Sequence, residues 1–403
     1  MYKKKGVAGM MSLIILLIVS AFVLLSFRDA TFDIQTLAIG AVFILMLMIH
    51  FGILTRTLPD MDRHILVIVY VLLAIGMIMQ CRINTEYALR QLIWIGVGML
   101  AMIVTVIVMR FHGFFQKMIW PIMVLSIGLL LAVLIFGKET AGAKNWIGPE
   151  AFRFQPSEFI KVVLIFVLAT WLAREQRVFV LWPMWGYAII MLGLLVLSRD
   201  LGGAAIYGVT TLVLFFTATG NLLVTSIGIG AGAAGFMAAY HLFSHVRVRV
   251  AVWRNPWTKY GEVGGGYQIA QGLMAIASGG LFGMGLGQGM PKSIPAYRTD
   301  YIFAVICEEM GILVGVCIIA LFLLIILRGI SIARQSNDRF QALLSIGVVT
   351  IFGIQSFLII GGVVKLIPLT GVTLPFVSYG GSSMIASFIL MGMLAYSSIQ
   401  NKK

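Results

Sequence analysis

Charge is scarce in this 403-residue chain: 11% of its residues are Asp, Glu, Lys or Arg, while 60% are hydrophobic. Soluble domains carry about a quarter charged residues, and a water-soluble chain of this size could not hide so much apolar surface. A soluble enzyme, a disordered chain and a collagen-like chain are therefore excluded. Cysteine is scarcer still. Cys81, Cys307 and Cys317 form an odd set, two of them in one apolar segment, and predict neither a disulfide framework nor a metal site. The sequence has no CxxC, Walker or Ser-His-Asp pattern. His241 and His245 are four apart, but residue 242 is leucine and no third ligand accompanies them.

Long apolar runs are what the sequence has instead, with a mean hydropathy of +1.02. They are about 20 residues long, enough for helices across a bilayer, whereas barrel strands would read as short alternating segments. The fold class is an all-α polytopic membrane protein with about twelve spans: 9–27, 34–54, 64–80, 91–109, 118–136, 157–173, 184–198, 203–219, 222–243, 302–327, 342–364 and 382–398. The division near Arg199-Asp200 is the weakest of these. The N-terminus MYKKK and the run after it resemble a signal peptide, but no small-residue cleavage site follows, so the run reads as an uncleaved first helix.

The net charge of +14 would suggest nucleic acid in a soluble protein. Here topology accounts for it, and no nucleic-acid partner is expected. With both termini in the cytoplasm, the inner loops Arg56 to Arg63, Arg110 to Lys117, Arg174 to Arg177 and Arg328 to Arg339 are basic, as are both tails. The outer side still holds 15 of the 29 basic residues, many in a large extracytoplasmic loop, 244–300. Long loops are exempt from the topology rule, so this basic surface is either indifferent or faces an anionic ligand. The outer segments 137–158, 198–204, 244–300 and 365–383 also collect the Gly, Pro and polar residues, whereas a transporter tends to place such residues near the midplane.

Four constellations on that side could carry chemistry. Lys144-Asn145-Trp146-Ile147 is followed by Gln155-Pro156-Ser157-Glu158 and Lys161, with Pro156 suited to a first helical turn. Glu158 and Lys161 share a helix face, either as a self-satisfied pair or with Lys161 neutralising a phosphate that Glu158 orients. Asp200 in Asp200-Leu201-Gly202-Gly203 caps a helix or serves a site. The stretch Gly264-Gly265-Gly266-Tyr267-Gln268, Gln271 and Ser278 to Gly289 is a flexible loop, or else its backbone N–H groups approach a ligand. Asp300, in Arg298-Thr299-Asp300-Tyr301, is a helix cap or a general base on a membrane-borne hydroxyl. Glu308, about 12 Å deeper along a straight helix, is too far away to share a proton with it. Pro368 to Ser383 reads as a stiff non-helical loop, and Trp253 and Trp257 as interfacial anchors.

In this order, KNWI, FQPSEFIK, RDLGGA, GGGYQIAQ, SGGLFGMGLGQG, RTDYIFAVICEEMG and PLTGVTLPFVSYGGSS resemble the SEDS family (FtsW, RodA, SpoVE) from about residue 60 to the end. Family members usually have about ten spans, so residues 1–58 read as an N-terminal two-helix addition and 59–403 as the family core. The resemblance implies a peptidoglycan glycosyltransferase that works with a class B penicillin-binding protein. It would polymerise lipid II, an undecaprenyl-pyrophosphate-linked disaccharide-pentapeptide, on the outer face of the cytoplasmic membrane. The family's essential aspartate falls on Asp300, Glu158 and Lys161 match its P-S-E-x-x-K positions, and Arg90 matches the basic position before its second helix. Lys144, Gln268, Gln271, Ser378 and Ser382 complete the candidate substrate-binding set. Asp300 would take the proton of the acceptor's 4-hydroxyl as it displaces the lipid pyrophosphate, with cations, and a divalent ion as a further option, stabilising the leaving group. Where many members read L-P-E-x-H-T-D, this chain has Ile294-Pro295-Ala296-Tyr297-Arg298-Thr299-Asp300. The competing readings are a lipid II flippase, suggested by Glu308, Glu309 and Lys161 within spans, and a scaffold whose catalysis has lapsed.

Overall fold

The computed structural model describes residues 2–27, 32–140, 143–148, 154–258 and 266–400. Gly264 and Gly265 of the glycine-dense stretch and the basic end of the C-terminal tail lie outside the described residues. The chain forms helices α1 (Tyr2–Ser26), α2 (Ile34–Thr57), α3 (Arg63–Ile83), α4 (Thr85–Met109), α5 (His112–Lys117) and α6 (Ile119–Phe136). A hairpin of β1 (Lys138–Thr140) and β2 (Ala143–Trp146) follows, then α7 (Pro156–Arg174), α8 (Trp182–Leu197), α9 (Leu201–Thr219) and α10 (Leu222–Leu242). The last third holds α11 (Ser244–Arg254), α12 (Tyr267–Gly279), α13 (Ile302–Gln335), α14 (Arg339–Val363) and α15 (Gly381–Gln400).

Among the described residues, eleven helices are long and apolar enough to cross a membrane, and the shorter apolar α8 takes the twelfth expected place. In hydrocarbon every backbone polar group must be satisfied internally, which is why uninterrupted apolar runs of this length become helices. Their starts are fixed chemically: the side chains of Asp33, Asp62, Asn84, Asp200, Asn221 and Asp338 cap α2, α3, α4, α9, α10 and α14. The weak division near Arg199-Asp200 is real. Arg199 takes a left-handed turn (φ 64), and Asp200 starts the next helix by accepting from Gly203 N at 2.8 Å.

Helix α3 is the axis of the bundle, with 89% of its central window buried, whereas only 6% of that of α10 is buried. Close approach at the axis depends on glycine. A Cβ on Gly76 of α3 would stand 2.8 Å from Val377 O, and one on Gly98 of α4 would collide with the Phe388 ring of α15. The N-terminal helices pack on this core, α1 against α2 and α3, and α2 against α4. His50 Nδ1 of α2 also meets the Tyr70 hydroxyl of α3 at 2.7 Å.

Two features depart from the hydropathy reading. The described parts of the large loop 244–300 hold α11, α12 and a short 3-10 turn at Pro291–Ser293. The 34-residue α13 is broken at Gly311 (φ 87), a conformation costly for any residue with a side chain. A Cβ on Gly315 would lie 2.7 Å from Cys307 Sγ and 3.2 Å from the Phe303 ring, so the segment before the break folds back over the one after it. Glu308 precedes the break, on the same uninterrupted helical stretch that begins at Ile302, so its separation from Asp300 along the helix is unaffected. The span reads as one apolar run in which only Glu308-Glu309, just before the break, stand out.

Candidate active site at the loop-rich end

One end of the bundle has short connections. There Arg174 donates to Gln116 O, Arg339 donates to Ala218 O and Arg328 faces Asp62. The candidate residues gather at the other end. Asp300 sits in a turn whose Ala296 carbonyl accepts from Thr299 N at 3.1 Å and Tyr301 N at 3.2 Å, with Ala296 itself at φ 55. The loop 368–380 clamps this turn: Ser378 Oγ donates to Thr299 O at 2.7 Å, and Tyr379 N donates to Arg298 O at 3.0 Å. From α3, Gln80 Nε2 donates to the same Arg298 carbonyl at 3.2 Å. The buried Tyr301 ring fills the space left by Gly272 of α12.

The Asp300 carboxylate faces Gly371, where an added Cβ would stand 3.7 Å from Oδ2. Burial pushes its pKa above the ordinary carboxylate value, while the Thr299 hydroxyl and the Arg249 guanidinium pull it back. Arg249, from α11, reaches Thr370 O at 3.4 Å. Burial lowers the Arg249 pKa, and the charges of Asp300 and Asp200 oppose that shift. Asp200 is likewise raised, first by burial and then by Glu158, against the Gly203 N–H, Arg249 and Lys161. These couplings join α7, α9, α11 and the start of α13 into one charged cleft.

The far wall of the cleft is a chain of bonds. Lys161 Nζ donates to Glu158 Oε2 at 2.5 Å and to Gln355 Oε1 of α14 at 2.9 Å. Gln355 Nε2 donates to Thr373 O at 2.9 Å, and the Thr373 hydroxyl meets Ser383 Oγ of α15 at 2.6 Å. Asp300 is therefore half-buried in a cluster of carboxylates and cations, beside the loop 368–380. Such a place can hold a carboxylate ready to accept a proton beside an anionic ligand.

The "Cell cycle protein" family model, that of FtsW, RodA and SpoVE, matches residues 61–403. The chain belongs to this family. The peptidoglycan glycosyltransferase RodA of Mycobacterium tuberculosis H37Rv is 34% identical over 372 residues, covering 84% of this chain and 78% of its own length. Stage V sporulation protein E of Bacillus subtilis is 35% identical over 364 residues, covering 84% of this chain and 96% of its own. A chain solved for "Structural coordination of polymerization and crosslinking by a peptidoglycan synthase complex" superposes with a TM-score of 0.71 at 25% identity. That match covers 85% of this chain and 99% of the solved one. The protein is thus a multi-pass membrane protein of the FtsW/RodA/SpoVE family.

Within this FtsW/RodA/SpoVE chain the other candidate residues are scattered in kind. Arg90 is exposed, pairs with Glu86 at 2.6 Å and lies against the Tyr379 hydroxyl rather than in the Lys161 cleft. Lys144 is exposed on the hairpin, which is tied to the α8–α9 turn by Lys144 N donating to Ser198 O at 3.0 Å. Gln268 donates to Pro295 O at 3.2 Å and Gln271 is half-buried one turn further along α12. The hydroxyls of Ser378 and Ser382 bind backbone: Ser378 also accepts from Leu374 N, and Ser382 accepts from Gln155 N at the start of α7. They brace the elements that carry Asp300 and Glu158.

The glycine-dense stretch and the two glutamates of α13 turn out to serve each other. Met284 N and Gly285 N donate to the carbonyls of Glu308 and Glu309, and Gly287 N and Met290 N donate to the carboxylates of Glu309 and Glu308. Arg82 of α3 faces Glu309 at 3.0 Å and donates to the carbonyls of Gly287 and Gly289. The N–H groups of this stretch, read from sequence either as part of a flexible loop or as approaching a ligand, thus hold the helix break. Trp253, read as an interfacial anchor, donates to Lys365 O at 3.1 Å. Arg249, Gln355 and Thr373 escaped the sequence reading. Only the basic alternation Arg247-Val248-Arg249-Val250 hinted at the first. Among the described residues, no three His, Cys, Asp or Glu side chains form a group able to hold a metal by themselves.

Proposed function

We propose that this chain is a peptidoglycan glycosyltransferase that polymerises lipid II, with Asp300 as the general base. The observation that carries the reading is the placement of Asp300. Its carboxylate is fixed at the mouth of a charged cleft, with burial raising its affinity for a proton and Arg249 moderating it. A carboxylate tuned in this way takes the proton of the acceptor's 4-hydroxyl as the oxygen attacks the donor's anomeric carbon. The C–O bond to the lipid pyrophosphate breaks in the same displacement, and the configuration inverts. The pyrophosphate leaves as an anion, so cations rather than a strong acid are required. Arg249 and Lys161 supply candidates on this side of the turn, and Glu158 holds Lys161 in place.

The loop-rich end faces the outside of the cytoplasmic membrane in this reading. Its support is the short-loop end, whose Arg56, Arg63, Arg110, Lys117, Arg174 and Arg177 suit the cytoplasmic side together with both termini. A class B penicillin-binding protein is the proposed partner, in keeping with the solved relative, which comes from a peptidoglycan synthase complex that coordinates polymerization and crosslinking. Residues 1–58 are proposed as an addition outside the catalytic core, since the family match begins at residue 61.

The test is to incubate purified protein with fluorescent lipid II, alone and with a class B partner, and to resolve the products on a gel. A glycan ladder is expected. Transbilayer movement of labelled lipid II in proteoliposomes without any ladder would instead support a flippase, and partner recruitment without either product would support a scaffold.

A further inference from the structure

Arg298 stands two residues before Asp300, yet its side chain goes to the opposite side of the turn. Its guanidinium carbon lies 3.9 Å from the centroid of the Tyr87 ring, in the first turn of α4, and 5.3 Å from that of Tyr297. Tyr87 in turn meets Tyr379 edge-on at 5.5 Å. Arg90 is one turn along α4 from Tyr87 and lies against the Tyr379 hydroxyl. The one carboxylate in this patch, Glu86, is bonded to Arg90 at 2.6 Å. Among the described residues no carboxylate pairs with Arg298, whose charge is held by an aromatic face alone.

Stacking of this kind has a geometric consequence. The face of Tyr87 is covered by the guanidinium and is not available to stack on a sugar. The in-plane N–H fork of Arg298 remains open, and that fork matches the two oxygens of a carboxylate or phosphate. The backbone beneath is fixed, because the Arg298 carbonyl accepts from both Tyr379 N and Gln80 Nε2. The fork is thus held at a set offset from Asp300, on the α4 side of the turn, while Arg249, Asp200 and Lys161 occupy the other side.

We propose that Arg298, stacked on Tyr87 and flanked by Arg90, is a specificity-determining residue that grips an oxyanion of the sugar-lipid substrate and so sets the substrate's register on Asp300. The oxyanion is a phosphate of the pyrophosphate or a carboxylate of the peptide. This proposal rests on the polymerase reading above.

The test is steady-state polymerisation by the full chain with its class B partner, using lipid II and lipid II whose peptide carboxylates are amidated. Arg298→Met keeps a long side chain over Tyr87 without charge, and Arg298→Lys keeps charge without the fork. Loss of a charge-assisted contact predicts a KM raised about 10- to 100-fold in Arg298→Met, with kcat within about threefold and an unchanged melting temperature; Arg298→Lys should fall between. If the oxyanion is a carboxylate, amidated substrate raises the wild-type KM to the Arg298→Met level and costs the variant nothing more. If it is a phosphate, the gap between wild type and variant persists on amidated substrate. An unchanged KM in Arg298→Met on both substrates overturns the proposal, as does a fall in kcat and melting temperature at constant KM. A wild-type protein that makes no polymer sinks the polymerase reading instead. Arg298 is then judged by binding of lipid II in detergent, where equal retention by wild type and Arg298→Met overturns it and at least tenfold weaker retention by the variant supports it.

Discussion

Asp300 and Arg249 are best considered as one unit. Burial raises the carboxyl's pKa and the guanidinium lowers it, so removing the cation must raise it further. A base works only when ionised, and the acid limb of kcat/KM reports that ionisation in the free enzyme. Arg249→Met is therefore expected to move the acid limb to higher pH, with activity lost first at the acid end. An acid limb that stays in place in a pH–rate profile contradicts the coupling. Lys161 and Glu158 make a second unit, with side chains 3% and 12% exposed. Lys161→Met leaves an unpaired buried carboxylate and should cost about 3–5 kcal/mol, much of it recovered by adding Glu158→Gln. Thermal melts in detergent check this, and equal melts of the single and double variants would count against it. Asp300, Glu158 and Lys161 were legible because each stands in a motif of fixed spacing. Arg249 was not, since a valine–arginine alternation in a long loop says nothing about which way either arginine points.

Helices were legible wherever about 20 apolar residues run together, because a bilayer leaves such a run one way to satisfy its backbone. The ordered loop was not. Helix α12 is held through contacts no local pattern announces, with Gly272 under the Tyr301 ring and Gly279 against Cys307 O. The break in α13 was invisible for a related reason. Gly311 follows Glu308-Glu309-Met310 in an otherwise apolar run, and its φ of 87 is imposed by the loop that returns beside it, where a Cβ would run into Leu281 O. Gly311→Ala therefore meets both backbone strain and a collision, on the order of 2 kcal/mol or more. The expected result is a lower melting temperature together with reduced polymerisation, because the Arg82–Glu309 brace and the turn carrying Asp300 are joined through the same segment. Full activity with an unchanged melt would show that the break is incidental.

At the scale of the molecule, the bundle has two unlike ends joined by a buried axis. Short basic connections close one end, and a rigid apparatus of loop, hairpin and half-buried helices covers the other. Five elements distant in sequence (α7, α9, α11, the start of α13 and the loop 368–380) meet there: α7 packs on α9 and both pack on α14, Arg249 of α11 reaches Thr370 O, and Ser378 Oγ donates to Thr299 O. No stretch of sequence shows that convergence, although each piece is recognisable by itself. In the polymerase reading, this convergence puts one carboxylate beside a membrane-borne sugar. This is tested most directly by Asp300→Asn, which preserves shape and removes the base. The measurement is the rate of glycan polymer formation from lipid II, in the whole complex, by wild type and by Asp300→Asn at equal melting temperature. A fall of about 10²- to 10⁴-fold is expected, the usual worth of a general base. A folded Asp300→Asn protein polymerising at the wild-type rate would contradict it.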